Sequence, residues 1–333
     1  MHDKLLVTAS PHIQDDDSIH KIMWSVVVAL APAIAASIYF FGQQAIGAYL
    51  ISLCAAEAAE VLCLKLRSRP VRQAADGSAA VTGLLVAMVL PPSAPWFCLI
   101  MASVFAIAIV KHCFGGLGYN IWNPALAGRI FVQFAYPSLV SLSEWTVPRL
   151  LFGGQWGTDV TTQATPLSAT RSIAPDYIDL FTGNGISGSL GETCKLALLI
   201  GGIYLIVRKR VDWRIPLFYI GTVFALTALL PVVGEHNPSW LNDPFYHVLS
   251  GGLFLGAFFM ATDMVTTPIT PTGRIIFAIG CGVLVAVIRM YGGYPEGVAY
   301  SIIFMNTTVP LIDRWCRPRI YGSQTPKATG PQL

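Results

Sequence analysis

Threonine side chains are concentrated in one polar stretch of the chain, between residues 137 and 190: Thr158, Thr161, Thr162, Thr165 and Thr170. A threonine hydroxyl can be esterified, so this stretch suits covalent attachment of a cofactor better than transport of a solute. Thr165 precedes Pro166, which biases its backbone toward an extended conformation that presents the hydroxyl outward. The alternative is an ordinary solvated loop, in which Ser and Thr hydroxyls bond nearby backbone groups.

Two double glycines form a second set of candidate residues. Gly115-Gly116 opens a string that also contains Asn120 and Asn123, and Gly292-Gly293 opens one that contains Glu296. Small residues let helices approach closely in a bilayer, but glycine can also break a helix so that free backbone groups line a buried site. Packing does not require the amide and carboxylate groups, so we predict a buried ligand or ion site built from these residues: Gly115, Gly116, Asn120, Asn123, Gly292, Gly293 and Glu296.

The elements that position these groups are hydrophobic. Of 333 residues, 54% are hydrophobic and 12% are charged, about half the charged fraction of soluble domains. A net charge of +3 gives no reason to expect a nucleic-acid partner. Apolar runs predict an all-α integral membrane protein with about ten transmembrane helices at 22–41, 44–64, 79–90, 96–112, 120–136, 191–207, 215–233, 247–262, 275–290 and 297–312.

Positive charges set the predicted orientation. Lys and Arg cluster before the first run and after the second, sixth and tenth runs, whereas residues 137–190 contain only Arg149 and Arg171. The positive-inside bias therefore predicts a multi-pass protein of the cell (inner) membrane with both termini cytoplasmic. The predicted regions are a cytoplasmic segment 1–21, a first membrane half 22–136, an extracytoplasmic loop 137–190, a second membrane half 191–313 and a cytoplasmic tail 314–333.

An internal repeat relates the two membrane halves. Pro91 and Pro268 each lead into an apolar run, and Gly115 and Gly292 follow those runs. Both pairs are 177 positions apart (268 − 91 and 292 − 115). Each half has five runs, so the second half is expected to be inverted relative to the first. Inverted halves commonly place broken helices near the bilayer midplane, and we expect the paired glycines to lie together there.

Ionisable residues inside predicted spans are costly and usually have a role. Glu57 and Glu60 share a helix face near Lys65, where an ion pair is as good an explanation as an ion relay. Arg129, Asp263 and Arg289 are stronger candidates for functional or pairing roles. The seven cysteines and six histidines have no metal-ligand spacing, so neither an iron–sulfur cluster nor a zinc site is expected.

The polar loop resembles the flavin-attachment motif of the NqrB/RnfD family, written Asp-x-x-Ser/Thr-Gly-Ala-Thr. Its counterpart here is Asp159-Val-Thr-Thr162-Gln163-Ala164-Thr165-Pro166, and the one departure is Gln163 in place of glycine. Further similarity lies in Ser10-Pro-His12, in the strings around both double glycines, and in Gly256-Ala-Phe-Phe-Met-Ala-Thr-Asp263. The short region ahead of Ser10 is more similar to Rnf-type members than to the sodium-pumping quinone reductases.

The resemblance implies that Thr165 carries FMN through a phosphoester, with Asp159, Thr162, Ala164 and Pro166 as motif context. It implies a membrane subunit of a redox-driven translocase that connects ferredoxin with NAD and moves Na⁺ or H⁺. Partners would be membrane iron–sulfur and flavin-bearing subunits, a cytoplasmic NADH-binding subunit and membrane lipid. A non-covalent riboflavin is also expected, and no catalytic residue is assigned. The alternatives are a urea- or ammonium-type channel or transporter and a structural subunit without flavin.

Overall fold

The computed structural model describes residues 17–140, 145–146, 162–163, 167, 176–230, 243–292 and 297–317. In these residues the secondary structure is helical apart from a short antiparallel pair of strands, β1 (Trp145–Thr146) and β2 (Thr162–Gln163). The helices are α1 (Ile19–Phe41), α2 (Gln43–Leu66), a 3₁₀ helix (Val71–Asp76), α3 (Ser78–Val89), α4 (Trp96–Val104) with its π-helical continuation (Phe105–His112), α5 (Pro124–Ala135), α6 (Pro137–Val140), α7 (Tyr177–Thr182), α8 (Lys195–Val207), α9 (Arg214–Leu229), α10 (Pro244–Leu249), α11 (Leu253–Leu255) with a π-helical continuation (Gly256–Met260), α12 (Pro271–Tyr291) and α13 (Val298–Trp315).

Local sequence accounts for where these helices begin. The Ser18 hydroxyl accepts a hydrogen bond from the Lys21 N–H at the start of α1, and Thr270 caps α12 in the same way through Gly273. Asn123 caps α5 ahead of Pro124, which is favoured at the first helical position. Three helices of the described residues are long and apolar enough to cross a membrane: α1, α2 and α12. The prediction of an all-helical membrane protein is therefore confirmed at this level.

Each of the ten predicted runs overlaps a helical segment, with two informative differences. The run 120–136 becomes helical only at Pro124, because Asn123 caps the helix there. The run 247–262 is divided into α10 and α11, because Ser250 is extended and Gly251 has a φ of +70°. This break is of the kind expected from a run too short to span a bilayer directly.

Ion pairs define one end of the helix bundle, which we call the basic end. Arg210 pairs with Asp17 ahead of α1, and Arg274 at the start of α12 lies 2.9 Å from Asp212 ahead of α9. His20 at the start of α1 lies 3.1 Å from the carbonyl oxygen of Ala75 in the 3₁₀ helix. Helices α1, α9 and α12 therefore begin at the basic end, and α2 and α8 end there.

Short helices enter the bundle from both ends. α3 begins near the basic end and stops at Val89, where the Met88 carbonyl accepts a hydrogen bond of 2.8 Å from the Gly191 N–H. α11 approaches from the opposite end, where a Cβ added to Gly252 would lie 2.8 Å from Oε1 of Glu192. Both helices belong to one buried hydrophobic core, which includes Met88 and Leu255. The ends of α3 and α11 place polar backbone groups inside that core.

Candidate functional site

A cavity of about 90 Å³ brings together two of the predicted site residues, Asn120 and Asn123, with Asp263 and Lys111. Its apolar wall includes Val26, Leu85 and Phe259. This volume holds several water molecules, because one water needs roughly 10–15 Å³. Two of the residues predicted from the sequence therefore line one polar cavity, together with Asp263.

Asn123 is fixed by the helix ends around this cavity. Its Oδ1 accepts hydrogen bonds from Ala125 N–H at 3.0 Å and Leu126 N–H at 3.4 Å, and its Nδ2 donates to the carbonyl of Met260 at 3.1 Å. Met260 ends the π-helical segment after α11, so one amide joins the first and second predicted halves. Asp263 accepts a hydrogen bond of 3.3 Å from Thr266 Oγ1. The Asn123 amide thus connects elements that are far apart in sequence.

A buried charge cluster borders the same cavity. Nζ of Lys111 lies 2.8 Å from Oε2 of Glu60 and donates to Ser78 Oγ at 2.7 Å. Nε2 of His112 lies 3.0 Å from the same Glu60 oxygen. Asp76 accepts hydrogen bonds from both the backbone N–H and the hydroxyl of Ser78. Glu60 therefore pairs with Lys111 and His112, in the continuation of α4, rather than with Lys65 of its own helix.

The two double glycines do not meet, so the expectation that they lie together is wrong for the described members. Gly116 lies at the basic end, where an added Cβ would be 3.6 Å from Nη1 of Arg67. Gly292 ends α12, a helix of 21 residues that begins at the basic end. About 30 Å of helix separates the two ends of α12. The physical reason is that α4 and α12 run in opposite directions, so their C-terminal glycines lie at opposite ends of the bundle.

A second polar cluster lies at the end opposite the basic end. Nη1 of Arg129 lies 3.6 Å from Oε1 of Glu192, and both side chains are buried. Arg289 donates through Nη1 to the His247 carbonyl and through Nη2, at 3.1 Å, to the Ser250 carbonyl. The guanidinium of Arg289 therefore satisfies carbonyl groups exposed by the break between α10 and α11.

Leu167 connects this cluster with the threonine motif. Its side chain is buried, and a Cβ on Gly251 would lie 3.0 Å from Leu167 Cδ1 and 3.1 Å from Nη2 of Arg289. The backbone of Thr162 pairs with that of Thr146 in the short strand pair. Other predicted site residues lie outside the described residues: Asp159, Ala164, Thr165, Pro166, Gly293 and Glu296. The side chain of Thr162 is outside them as well.

Sequence reasoning missed several residues of these clusters, among them Lys111, Ser78 and Glu192. A usable signal existed for Lys111, which lies within the apolar run 96–112 where a charge is costly. Glu192 stands at the start of another run and gives the same signal. Ser78 gives none, because hydroxyls are common at helix starts. Among the described residues, no group of three or more His, Cys, Asp or Glu side chains is arranged to hold a metal.

Comparison with known proteins gives matches along nearly the whole chain. A family described as the NQR2, RnfD, RnfE family matches residues 6–322. The chain is 46% identical to a subunit of the Na⁺-translocating ferredoxin:NAD⁺ oxidoreductase complex of Acetobacterium woodii, over 96% of this chain and 95% of that one. It is 42% identical to the corresponding subunit of the proton-translocating ferredoxin:NAD⁺ oxidoreductase complex of Clostridium ljungdahlii, over 96% of each chain. It is 41% identical to the corresponding subunit of the ion-translocating oxidoreductase complex of Stutzerimonas stutzeri, over 92% of each chain. The chain belongs to the NQR2, RnfD, RnfE family.

Proposed function

We propose that this chain is the RnfD-type membrane subunit of an Rnf complex, which couples electron transfer between ferredoxin and NAD to translocation of Na⁺ or H⁺. The observation that carries the proposal is identity of 41–46% to subunits of such complexes over more than nine-tenths of the chain. The relative from the Na⁺-translocating complex and the relative from the proton-translocating complex have similar sequence identity to this chain, so either ion fits the proposal. The activity belongs to the assembled complex rather than to this chain alone.

The cofactor proposed for this subunit is FMN, joined through its phosphate to the hydroxyl oxygen of Thr165. Two observations support it: the sequence of the motif, and the packing of Leu167 against Gly251 beside Arg289. Thr165 precedes Leu167 by two residues, so their Cα atoms are within about 7 Å of each other. The flavin would thus be held near the bundle end that carries Arg289, away from the basic end.

When bound, FMN would supply the one- and two-electron chemistry, and the protein would supply position and electrostatics. Leu167 anchors the motif to the bundle through an apolar contact, and Gly251 permits that contact because it has no side chain. Arg289 holds the Ser250 carbonyl and so fixes the turn on which Leu167 rests. Each of these residues acts by holding the attachment segment rather than by reacting.

The cavity near Asn120 and Asn123 does not fit the non-covalent riboflavin expected from the resemblance. Its polar groups suit a flavin edge, but about 90 Å³ is well below the roughly 300 Å³ at which small-molecule pockets begin. Water or one partly hydrated cation fits the volume, and carboxylate and amide oxygens are ligands that hard cations accept.

The proposed architecture is ten transmembrane helices in two inverted halves of five, with both termini cytoplasmic. α4 packs against α2 and α5, and its counterpart α12 packs against α9 and α13. α4 and α12 also run in opposite directions, as an inverted repeat requires. The orientation rests on the positive-inside bias, which makes the basic end cytoplasmic. Proposed partners are the membrane iron–sulfur and flavin-bearing subunits and a cytoplasmic NADH-binding subunit.

Replacing the attachment residue tests the flavin proposal. Thr165→Val keeps the shape of the side chain but removes the hydroxyl that a phosphoester needs, so covalent flavin should disappear. Thr162→Val is the matched control, because it removes a hydroxyl from the same motif at a position that is not the attachment point. Flavin fluorescence in denaturing gels and the mass of the peptide containing residue 165 report the outcome, with the complex expressed alongside a competent flavin transferase. Equal covalent flavin in wild type and Thr165→Val, or none in wild type, would contradict the assignment.

The same measurement separates the redox subunit from a urea- or ammonium-type transporter. A transporter requires no covalent chromophore, whereas the redox subunit should remain fluorescent after denaturation. A chain that lacks flavin but still assembles with iron–sulfur subunits would instead identify a structural subunit.

A further inference from the structure

A groove of about 430 Å³ lies between α1 and α8 at the basic end. Lys21, Trp24 and Val28 of α1 form one wall, and Tyr204 of α8, with Arg208 and Arg210 just beyond it, forms the other. The two helices touch further along, where Gly201 packs so closely on the Ala29 carbonyl oxygen that a Cβ would overlap it. Arg208 lies seven residues beyond Gly201, so the groove is roughly 10 Å deep along the helix axis.

The mouth of the groove is positively charged. Among the described residues that line it, three side chains are cationic, Lys21, Arg208 and Arg210, and one is a carboxylate, Asp17. Asp17 forms a two-point ion pair with Arg210, and the side-chain hydrogen bond from Arg210 lowers the pKa of Asp17 below its usual value. The carboxylate is therefore ionised at neutral pH and offsets one of the three positive charges. The Arg208 guanidinium lies 5.6 Å from the centre of the Tyr204 ring, so its charge is held at the groove.

Apolar side chains continue from the mouth along both helices. Val28 lies one turn beyond Trp24 on α1 and is 55% exposed, and Ile200 lies one turn before Tyr204 on α8 and is 53% exposed. Trp and Tyr beside Lys and Arg are the composition of a membrane–water interface. Basic pockets between transmembrane helices are also typical binding sites for anionic lipid headgroups.

We propose that this groove binds one anionic phospholipid. The phosphate lies at Lys21 and Arg208, the glycerol region lies between Trp24 and Tyr204, and an acyl chain follows Val28 and Ile200. The charged mouth accounts for selectivity toward an anionic headgroup, and the apolar continuation accounts for a lipid rather than a free phosphate ion. The site is separate from the motif at Thr165, which the proposed architecture places at the other end of the bundle.

Native mass spectrometry of the purified, delipidated complex tests the proposal. Wild type is titrated with phosphatidylglycerol and, separately, with phosphatidylcholine of the same acyl chains. We expect one phosphatidylglycerol to bind more tightly than any phosphatidylcholine. The Lys21→Gln/Arg208→Gln variant should bind that lipid about tenfold or more weakly, because each basic residue near an anionic lipid contributes on the order of 1 kcal/mol.

Lys209→Gln is the matched control, because Lys209 is exposed on the same turn but does not line the groove. It should retain wild-type lipid binding. Equal binding of both lipids, or an equal loss in the control and the double variant, would overturn the proposal. Competition by millimolar inorganic phosphate would indicate a phosphate site instead. A photo-cross-linker introduced at Val28 should capture lipid, and capture of a neighbouring subunit would assign the groove to a protein contact.

Discussion

Lys111 and Glu60 form a buried ion pair at 2.8 Å between helices, and the two residues are 51 positions apart in sequence. Both side chains are at most 4% exposed. Removing two charges from water costs several kcal/mol for each ion, which the pair recovers only through its own attraction and additional hydrogen bonds. The hydroxyl of Ser78 accepts such a hydrogen bond from Lys111, and Nε2 of His112 lies 3.0 Å from the Glu60 carboxylate. The pair therefore ties α4 to α2 and α3 at the cavity.

Removing one member of this pair should destabilise the protein far more than removing both. Lys111→Met leaves the Glu60 carboxylate buried without its main partner, and we expect a loss of about 3–5 kcal/mol. Lys111→Met/Glu60→Gln removes both formal charges and should recover most of that loss. Thermal unfolding of the purified protein measures the effect. Equal unfolding temperatures for the single and double variants would show that the charge pairing does not matter for stability.

Gly251→Ala tests the contact between the proposed attachment segment and the bundle. The new Cβ would lie 3.0 Å from Leu167 and 3.1 Å from Arg289, and the φ of +70° strains any side chain by roughly 1–2 kcal/mol. We expect slower electron transfer through the complex while its abundance in the membrane is maintained. Gly221→Ala is the control, because no atom lies within 4 Å of its Cβ position. Equal rates in the two variants would count against the anchoring role.

Asp212 should make stability depend on pH in the acid range. Partial burial raises the pKa of Asp212, but hydrogen bonds from the Arg214 backbone and the Arg274 side chain outweigh it, so the pKa is lowered overall from 3.8. A lowered folded-state pKa means that the stabilisation is present above about pH 4 and is lost as the pH falls through the folded value. Asp212→Asn should remove about 1–3 kcal/mol at pH 7. Unfolding temperatures between pH 3 and 7 should converge for wild type and variant at the acid end. A constant difference across that range would contradict the prediction.

Cysteine labelling tests the proposed orientation. In a background without the native cysteines, Ser168→Cys should react with an impermeant maleimide added from outside, and Ser68→Cys should react only after the membrane is opened. The reason is that Ser68 follows α2 within the basic cluster, which the charge bias makes cytoplasmic. External labelling at position 68 alone would reverse the orientation of the bundle.

Features that depend on nearby residues were predictable from the sequence. Pro91-Pro92 limits α3 to a short helix that ends at Val89, and Asn123-Pro124 starts α5. The residue types of Asn120 and Asn123 made them candidates, and both line the cavity. The Lys111–Glu60 pair could not be predicted from the sequence, because it depends on how α4 is rotated about its axis against α2. The glycine pairing failed because matching helices point in opposite directions, which separates their ends.

The π-helical segment Phe105–His112 determines the direction in which the last residues after α4 face. A π turn holds one residue more than an α turn. Each later residue therefore faces about 100° away from the direction it would have in a continuous α-helix of the same sequence. If the same residues formed a regular α-helix, Lys111 would turn away from Glu60, whereas deleting one residue between Phe105 and Val110 would remove the π turn and leave Lys111 facing Glu60. The same reasoning applies to Gly256–Met260, whose last carbonyl accepts the hydrogen bond from Asn123. Lys111 and Phe259, on opposite sides of the chain's midpoint, therefore both reach the cavity from a π turn rather than from a regular α-helix.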